Sequence, residues 1–458
     1  MSGTTLKYRH QPRPRRGSVV VGLGKTGLSC ARFLVRRGED VTVVDSRPHP
    51  PFLRQLQEEL PEVEVVTGGF DPLLLGQAER LIVSPGVALA EPAIQTAVES
   101  GVPALGDIEL FAQHATAPVI AITGSNGKST VTELVGEMAR QAGRTVRLGG
   151  NLGIPALDLL QGEVPDFYVL ELSSFQLETT SSLNAHAAVL LNISADHQDR
   201  YASLDEYSAA KRRVFRGDGL VVVNGDDSRV MALLPAGRKV VHFATTIPRG
   251  TDYGLRSSAG EQWLARGEEL ILPVGELRIP GRHNQANALA ALALGESMGL
   301  PVAAMIEALR SFRGLAHRTE WVAEIDGVNW YNDSKATNVG ATLAALDGME
   351  SPVVLIAGGE GKGADFSILC QTIAAKARAV VLMGRDASLL ARVLDGMAPV
   401  EHAADMDEAV ALAQRWAEPG DNVLLSPACA SFDMYTGFEQ RGQAFVAAVN
   451  RLIERESW

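Results

Sequence analysis

The residues with the most explicit chemistry are Gly124, Ser125, Asn126, Gly127, Lys128, Ser129 and Thr130, which follow the apolar run 119–123 and open an amphipathic stretch. Glycines let backbone N–H groups turn inward on a phosphate, and a helix starting there adds positive potential at its N-terminus. Lys128 would neutralise terminal phosphates, and Ser129 or Thr130 would offer a hydroxyl to Mg²⁺. An ordinary glycine turn before a helix would need Gly, Lys and Ser to coincide after an apolar strand by chance.

A magnesium nucleotide needs further oxygen ligands, and the carboxyl end of a neighbouring parallel strand is where to look. Glu171 occupies such a place in the segment 168–174, and His197 lies between two aspartates in the segment 192–201. Either could be a surface loop residue taken alone; polar clusters at three successive strand ends favour a site. Lys211 reads in two ways: as a solvated helix charge, or, near Mg²⁺, as an anionic carbamate formed with CO₂.

A second glycine loop, Gly22, Gly24 and Gly27 followed by Asp45, matches the dinucleotide fingerprint and on its own suggests NAD. Such a loop accepts any diphosphate, however, and Ser46 and Arg47 beyond Asp45 can hydrogen-bond a base or ribose. A further turn, Ser84-Pro85-Gly86, follows the strand 80–83. UDP is as acceptable there as NAD. An NAD(P)-linked oxidoreductase and a nucleotide-hydrolysing switch are therefore the rival readings.

The elements that position these loops restart three times: a short β-branched strand, a glycine-rich turn and an amphipathic helix, the signature of parallel βαβ construction. A chain of 458 residues exceeds what one hydrophobic core holds, roughly 250–300 residues. The expectation is an α/β protein of three domains: residues 1–107 Rossmann-like, 108–314 a P-loop-type ATPase domain, and 315–458 Rossmann-like again. Strands are expected at 18–21, 41–45, 119–123, 168–172, 188–193 and 220–224. The third domain should add strands at 330–332, 353–357, 380–383 and 423–425. Residues 243–279 read as short-stranded and turn-rich, 281–287 open an alanine-rich helix, and 302–312 form another. Gly314 is the expected hinge between the second and third domains.

With 46% hydrophobic and 21% charged residues the composition is that of a globular α/β enzyme, and the net charge of −12 argues against a nucleic-acid binder. No apolar window approaches the roughly 20 residues of a membrane helix. Cys30, Cys370 and Cys429 lack paired spacing, so neither zinc nor disulfides are indicated and a reducing, cytoplasmic compartment fits. The basic stretch 7–16 lacks the apolar core of a signal peptide and reads as a flexible leader over 1–16.

Taken together, these motifs resemble those of the Mur ligases of peptidoglycan synthesis. The phosphate loop, with G-x-x-G-K-[ST] two residues shorter than the usual spacing, is the form common in folate and cell-wall ligases. Glu171, His197, Lys211, the run 281–284 with Asn287, and His317-Arg318 are the shared elements. The runs 332–338, 426–433 and 437–442 are those of the D-glutamate-adding branch.

The resemblance implies an ATP-dependent ligase that activates a carboxylate as an acyl-phosphate and adds D-glutamate to UDP-N-acetylmuramoyl-L-alanine (UDP-MurNAc-L-Ala). It implies two Mg²⁺ ions, one on Ser129 and Glu171, the other on His197 and a carbamylated Lys211. Lys128 and Arg318 would act on the phosphates, with Asn284 and Asn287 facing adenine and Asp333 the ribose. Gly24, Lys25, Thr26, Ser46, Arg47, Ser84 and Gly86 would hold the uridine diphosphate end, and Asn151 would touch the substrate near the metal centre. Thr337, Lys362, Ser431 and Phe438 match D-glutamate ligands, although Thr337, Lys362 and Ser431 could each serve instead as a helix cap. His197, Lys335 and a substrate oxygen remain alternative acceptors for the amine proton. Lys25 and Phe432 are positions where relatives are expected to differ. The expected partners are small molecules alone, handled by a monomer with no membrane insertion.

Overall fold

The computed structural model describes residues 16–456 apart from 198, 199, 280, 313 and 350. The leader reading for 1–16 and two residues of the segment 192–201 thus lie outside the described residues, Arg16 excepted. The chain forms two compact units: residues up to Val119 with Arg147–Asn184, and Ile120–Val146 with Ala185 onward.

In the first unit the 5-stranded sheet runs Glu64–Thr67, Val41–Asp45, Arg16–Val21, Ala78–Val83, Ala104–Leu105, all parallel. Val19, Val21, Val44, Leu81 and Val83 meet Ile94 and Ala97 in its core. Strand Val41–Asp45 lies between two neighbours in the sheet and is buried throughout, its polar residues Thr42 and Asp45 included. Helix Lys25–Arg36 follows strand Arg16–Val21 after a three-residue turn, burying Leu28, Ala31 and Leu34. Its start and the turn after Ala78–Val83 sit at the carboxyl edge of the sheet, where α/β proteins bind ligands. The same unit carries strands Val146–Gly150 and Phe167–Glu171 and helix Ser174–Glu178. Ser173 and Gln176 close that helix with a reciprocal capping box.

In the second unit strands Val119–Thr123, Ala187–Leu190, Leu220–Asn224 and Val240–Phe243 pair in parallel. Tyr253–Ser258 continues the sheet, and Glu261–Arg266 and Glu269–Pro273 extend it as antiparallel hairpins. Helix Arg282–Ser297 is buried along most of its length because alanines let it lie close to its neighbours. A 6-stranded sheet follows in the order Glu320–Ile325, Val328–Asn332, Asn422–Leu425, Val353–Gly358, Ala377–Met383, Val400–His402. All its pairs are parallel except the first, an antiparallel hairpin turning at Asp326 and Gly327. The strands expected from the sequence are present within a few residues; Glu64–Thr67, Ala104–Leu105 and Val146–Gly150 are additions, as are the hairpin strand Glu320–Ile325 and the edge strand Val400–His402 in the third sheet. No helix of the described residues is long and apolar enough to cross a membrane.

Candidate active site

The phosphate loop leaves the buried strand Val119–Thr123 and enters helix Lys128–Gln141 through Gly127, whose φ of +83° is left-handed. A Cβ at Gly127 would overlap the Asn287 carboxamide oxygen, so glycine is required both by conformation and by space. Asn192 holds the loop from the next strand end: its Oδ1 accepts from Asn126 N at 2.8 Å and its Nδ2 donates to Asn126 O at 3.1 Å. The Ser125 hydroxyl donates to Ser194 O and lies 3.1 Å from the Tyr207 hydroxyl.

Two ammonium groups converge on this loop. Lys128 Nζ donates to Gly124 O at 2.9 Å and Ser125 O at 2.8 Å, while Lys211 Nζ donates to Gly124 O at 2.9 Å. Lys211 is only 1% exposed, so the solvated-charge reading does not apply. Its Nζ lies 4.6 Å from the centre of the Tyr207 ring, and the His197 ring is 6.3 Å from that ring. His197 adopts φ +53°, unusual for a residue other than glycine, and its N–H donates to Asp196 Oδ1 at 2.9 Å. Tyr207 thus neighbours both expected metal-site residues.

Asn287 and Asn284, both 7% exposed, face each other on one side of helix Arg282–Ser297, with Asn287 Nδ2 donating to Asn284 Oδ1 at 3.1 Å. Burial drops the neighbouring His283 to about 4, helped by the Arg318 charge against a backbone hydrogen bond to Ala344, so it is neutral at physiological pH. Arg318 comes from the segment before strand Glu320–Ile325, and its Nη2 donates to the Ser129 hydroxyl at 3.1 Å. Asp333 follows strand Val328–Asn332; its carboxylate accepts from Thr319 N at 3.1 Å and from the Ser426 hydroxyl at 2.8 Å. Burial pushes Asp333 up to about 7 despite those bonds and Arg318.

The expected acceptor residues lie on loops at the carboxyl ends of the third sheet. Lys335 Nζ stands 3.7 Å over the Phe438 ring, and Lys362 Nζ stands 5.9 Å from the centre of the Phe432 ring. Ser431 is buried, Thr337 half-buried, and Lys362 has φ +51°. Beneath them Arg441, 2% exposed, donates to Ser334 Oγ at 3.0 Å, Ser334 O at 2.9 Å and Cys429 O at 3.1 Å. Longer bonds of 3.4 Å reach Gly358 O and Ala430 O. One guanidinium fork therefore pins the loops after three strands.

The remaining expected residues belong to the first unit. Asp45 accepts from Leu23 N at 2.7 Å and from Arg47 N at 2.8 Å, and takes both Nε and Nη2 of Arg47. Burial alone would raise Asp45, but these bonds, led by Arg47, hold it below its ordinary value. With its oxygens so engaged, Asp45 is poorly placed to take a ribose 2′-hydroxyl, which weakens the NAD reading. The Ser84 hydroxyl donates to Gly22 O at 2.9 Å, tying the two turns together. Lys25 Nζ donates to Gly153 O at 2.6 Å, and Asn151 Nδ2 donates to Glu171 Oε1 at 2.7 Å. Thr26 lies in the first turn of helix Lys25–Arg36, Ser46 just beyond strand Val41–Asp45, and Gly86 on the turn after Ala78–Val83.

Residues 16–106 match the Mur ligase MurD-like N-terminal domain, residues 122–295 the Mur ligase middle domain, and residues 317–429 the Mur ligase glutamate ligase domain. The chain belongs to the Mur ligase family. A protein of Nitrosococcus oceani named UDP-N-acetylmuramoylalanine–D-glutamate ligase is 58% identical over 97% of this chain and 98% of its own length. A protein of the same name from Pseudomonas fluorescens is 53% identical over 95% of this chain and 98% of its own. Among solved structures, the UDP-N-acetylmuramate–alanine ligase of Thermotoga maritima covers 95% of this chain and 99% of its own at TM-score 0.60 and 21% identity. A pseudomurein peptide ligase of Methanothermus fervidus does so at 0.62 and 18%, covering 95% of this chain and all of its own. The fold is therefore the three-domain α/β architecture of Mur ligases.

Mg²⁺ needs only one or two protein oxygens beside phosphate and water, and demands hard donors. The Ser129 hydroxyl at a helix start and the buried Glu171 carboxylate are donors of that kind. His197 and an unmodified Lys211 amine are not, so Lys211 would contribute only as a carbamate. Among the described residues no three of His, Cys, Asp and Glu gather to hold a metal by themselves. Two residues that the sequence left without a role also touch the phosphate loop of this Mur ligase, Tyr207 through Ser125 and Asn338 through Asn126. Tyr207 could have been found one helical turn before Lys211 on the same face. Asn338 caps helix Val339–Asp347 and reaches Asn126 Oδ1 and Asp196 Oδ2, each at 3.3 Å. Nothing in its sequence neighbourhood signals that reach, nor the loops that Arg441 joins.

Proposed function

We propose that the chain is an ATP-dependent ligase that adds D-glutamate to UDP-MurNAc-L-Ala through an acyl-phosphate, in the synthesis of peptidoglycan precursors. The observation that carries this reading is the hydrogen bond from Arg318 to Ser129, which sets a cation of the glutamate ligase domain on the phosphate loop of the middle domain. An arginine on the phosphate loop also serves nucleotide hydrolases, so the segment that carries Arg318 supports the ligase: it is matched to a glutamate ligase domain, and a ligase must bring its acceptor domain to the phosphate it transfers. The acceptor follows from the relatives named as D-glutamate ligases.

A carboxylate does not react with an amine at neutral pH, because it repels nucleophiles and oxide is a poor leaving group. In the first step the L-alanyl carboxylate oxygen bonds to the γ-phosphorus of ATP while the bond to the β-phosphate oxygen breaks, releasing ADP. Lys128 and Arg318 spread the charge that moves in this transfer. In the second step the D-glutamate nitrogen bonds to the acyl carbon and phosphate leaves with one former carboxylate oxygen. The amine proton passes to His197, Lys335 or a substrate oxygen. Mg²⁺, when bound, neutralises phosphate oxygens and aligns them. Ser129 and Glu171 would hold one ion, and His197 with carbamylated Lys211 a second.

Asn284 and Asn287 face adenine in this reading, and Asp333 the ribose. Gly24, Lys25, Thr26, Ser46, Arg47, Ser84 and Gly86 take the uridine diphosphate end, with Asn151 nearer the reacting carboxylate. Thr337, Lys362, Ser431 and Phe438 receive D-glutamate. Domain boundaries at 107 and 314 are supported by the three matched segments, each of which falls inside one of these stretches. The reading extends to a monomer working in the cytoplasm.

The test is phosphate release with ATP, Mg²⁺ and UDP-MurNAc-L-Ala across D-glutamate, L-glutamate, L-lysine and meso-diaminopimelate. D-glutamate should sustain turnover and the others should not. Equal rates with all four would remove the acceptor assignment and leave the ligase class.

A further inference from the structure

Phe432 leaves 66% of its surface in solvent, although its neighbours Ala430 and Ser431 are each 2% exposed. A phenyl ring held out from a buried loop does not serve the core. The group it meets is the Lys362 ammonium, 5.9 Å from the ring centre. Lys362 also departs from the ordinary, with φ +51° in the left-handed region that non-glycine residues seldom occupy.

The two loops are fixed to one another close to both residues. Glu360 N donates to Ala430 O and Ala430 N donates to Glu360 O, each at 2.9 Å. A third loop braces the pair: Arg385 Nη1 donates to Glu360 Oε1 and Arg385 N donates to Asp433 Oδ2, both at 2.7 Å. Lys362 and Phe432 thus each stand two residues beyond a shared pair of backbone bonds. The backbone sets where the ammonium and the ring begin, and only the side-chain torsions remain free.

We propose that Phe432 is a positioning residue for the acceptor amino acid: its ring face holds the Lys362 ammonium in place to meet an acceptor carboxylate. The inference rests on the reading of Lys362 as a D-glutamate ligand. An exposed lysine loses rotamer freedom when it binds an anion, and this loss lowers affinity. A ring face attracts the ammonium through its quadrupole without taking up its N–H groups in conventional hydrogen bonds, so orientation is gained while the donors stay available. Lys335 over Phe438 repeats the pairing at 3.7 Å.

The test is steady-state kinetics of the full chain with D-glutamate varied. For an exposed cation–π pair, Phe432→Leu should raise KM for D-glutamate about two- to fivefold. It should leave kcat and the KM values for ATP and the UDP substrate within about twofold, a margin well below one tenfold step of about 1.4 kcal/mol. Phe432→Trp should keep the wild-type KM, and Phe432→Leu placed on Lys362→Met should add no further rise. An unchanged KM in Phe432→Leu, equal effects of Leu and Trp, or a full additional rise in the Lys362→Met background would overturn the proposal. A wild-type protein that does not consume D-glutamate would instead remove the acceptor reading on which it rests.

Discussion

The Asp333 carboxyl is buried between the Thr319 N–H and the Ser426 hydroxyl, and burial pushes it up to about 7. An unfolded chain ionises the same group in the ordinary carboxylate range. Between that range and about 7 the folded protein therefore binds more protons than the unfolded chain, so this residue's contribution to stability is lost as pH rises through the window. Asp333→Asn stays neutral throughout. Scanning calorimetry from about pH 4 to about pH 8 should show the wild-type melting temperature falling relative to Asp333→Asn. Parallel curves would contradict the burial account. The same variant should raise KM for ATP about tenfold, the loss expected of one hydrogen bond to a charged group. Arg441 makes a different demand, since its buried donors meet backbone carbonyls of several loops. Arg441→Met should cost about 2–4 kcal/mol in denaturant unfolding, because those carbonyls lose their partners. A cost within measurement error would show that water replaces the guanidinium. At this scale the sequence was readable where chemistry is local, as in Lys128 and Ser129 beside their glycines. It was silent where a side chain acts across the fold, as Arg441 and Asn338 do.

The phosphate loop works as an element because Gly127 turns the chain from strand to helix against Asn287. Gly127→Ala adds a left-handed strain of about 1–2 kcal/mol and displaces Asn287. The expected outcome is a lower melting temperature together with at least about a tenfold rise in KM for ATP, equivalent to about 1.4 kcal/mol. A variant that loses stability while keeping its KM would show that the turn is structural only. Strand–loop–helix units such as 119–141 could be read from pattern because apolar runs, glycines and amphipathic stretches follow one another directly. Strand Glu320–Ile325 was missed because the register shift between Trp321 and Ala323 puts its two exposed residues, Trp321 and Glu324, out of step with a two-residue period. Its Asp326-Gly327 turn was a hairpin signal that pattern reading passed over. Val400–His402 is too short to carry a period at all.

At the scale of the whole molecule, the proposed binding of three ligands by three domains would require closure, since water reaching an acyl-phosphate would hydrolyse it. Gly314, with φ +89°, is our proposed hinge. Small-angle scattering should report a smaller radius of gyration with ATP, UDP substrate and D-glutamate than without; identical curves would count against closure. The three-domain plan was legible because each βαβ restart repeats the same pattern. The inclusion of 147–184 in the first unit was not, because contacts between distant segments leave no local trace. The central claim is that ATP activates the L-alanyl carboxylate. The direct measurement uses UDP-MurNAc-L-Ala carrying ¹⁸O in that carboxylate, with ATP, Mg²⁺ and D-glutamate, followed by mass analysis of the released phosphate. Each phosphate formed should carry one ¹⁸O, together with a new amide bond to D-glutamate; phosphate that takes its oxygen from water would rule out carboxylate activation.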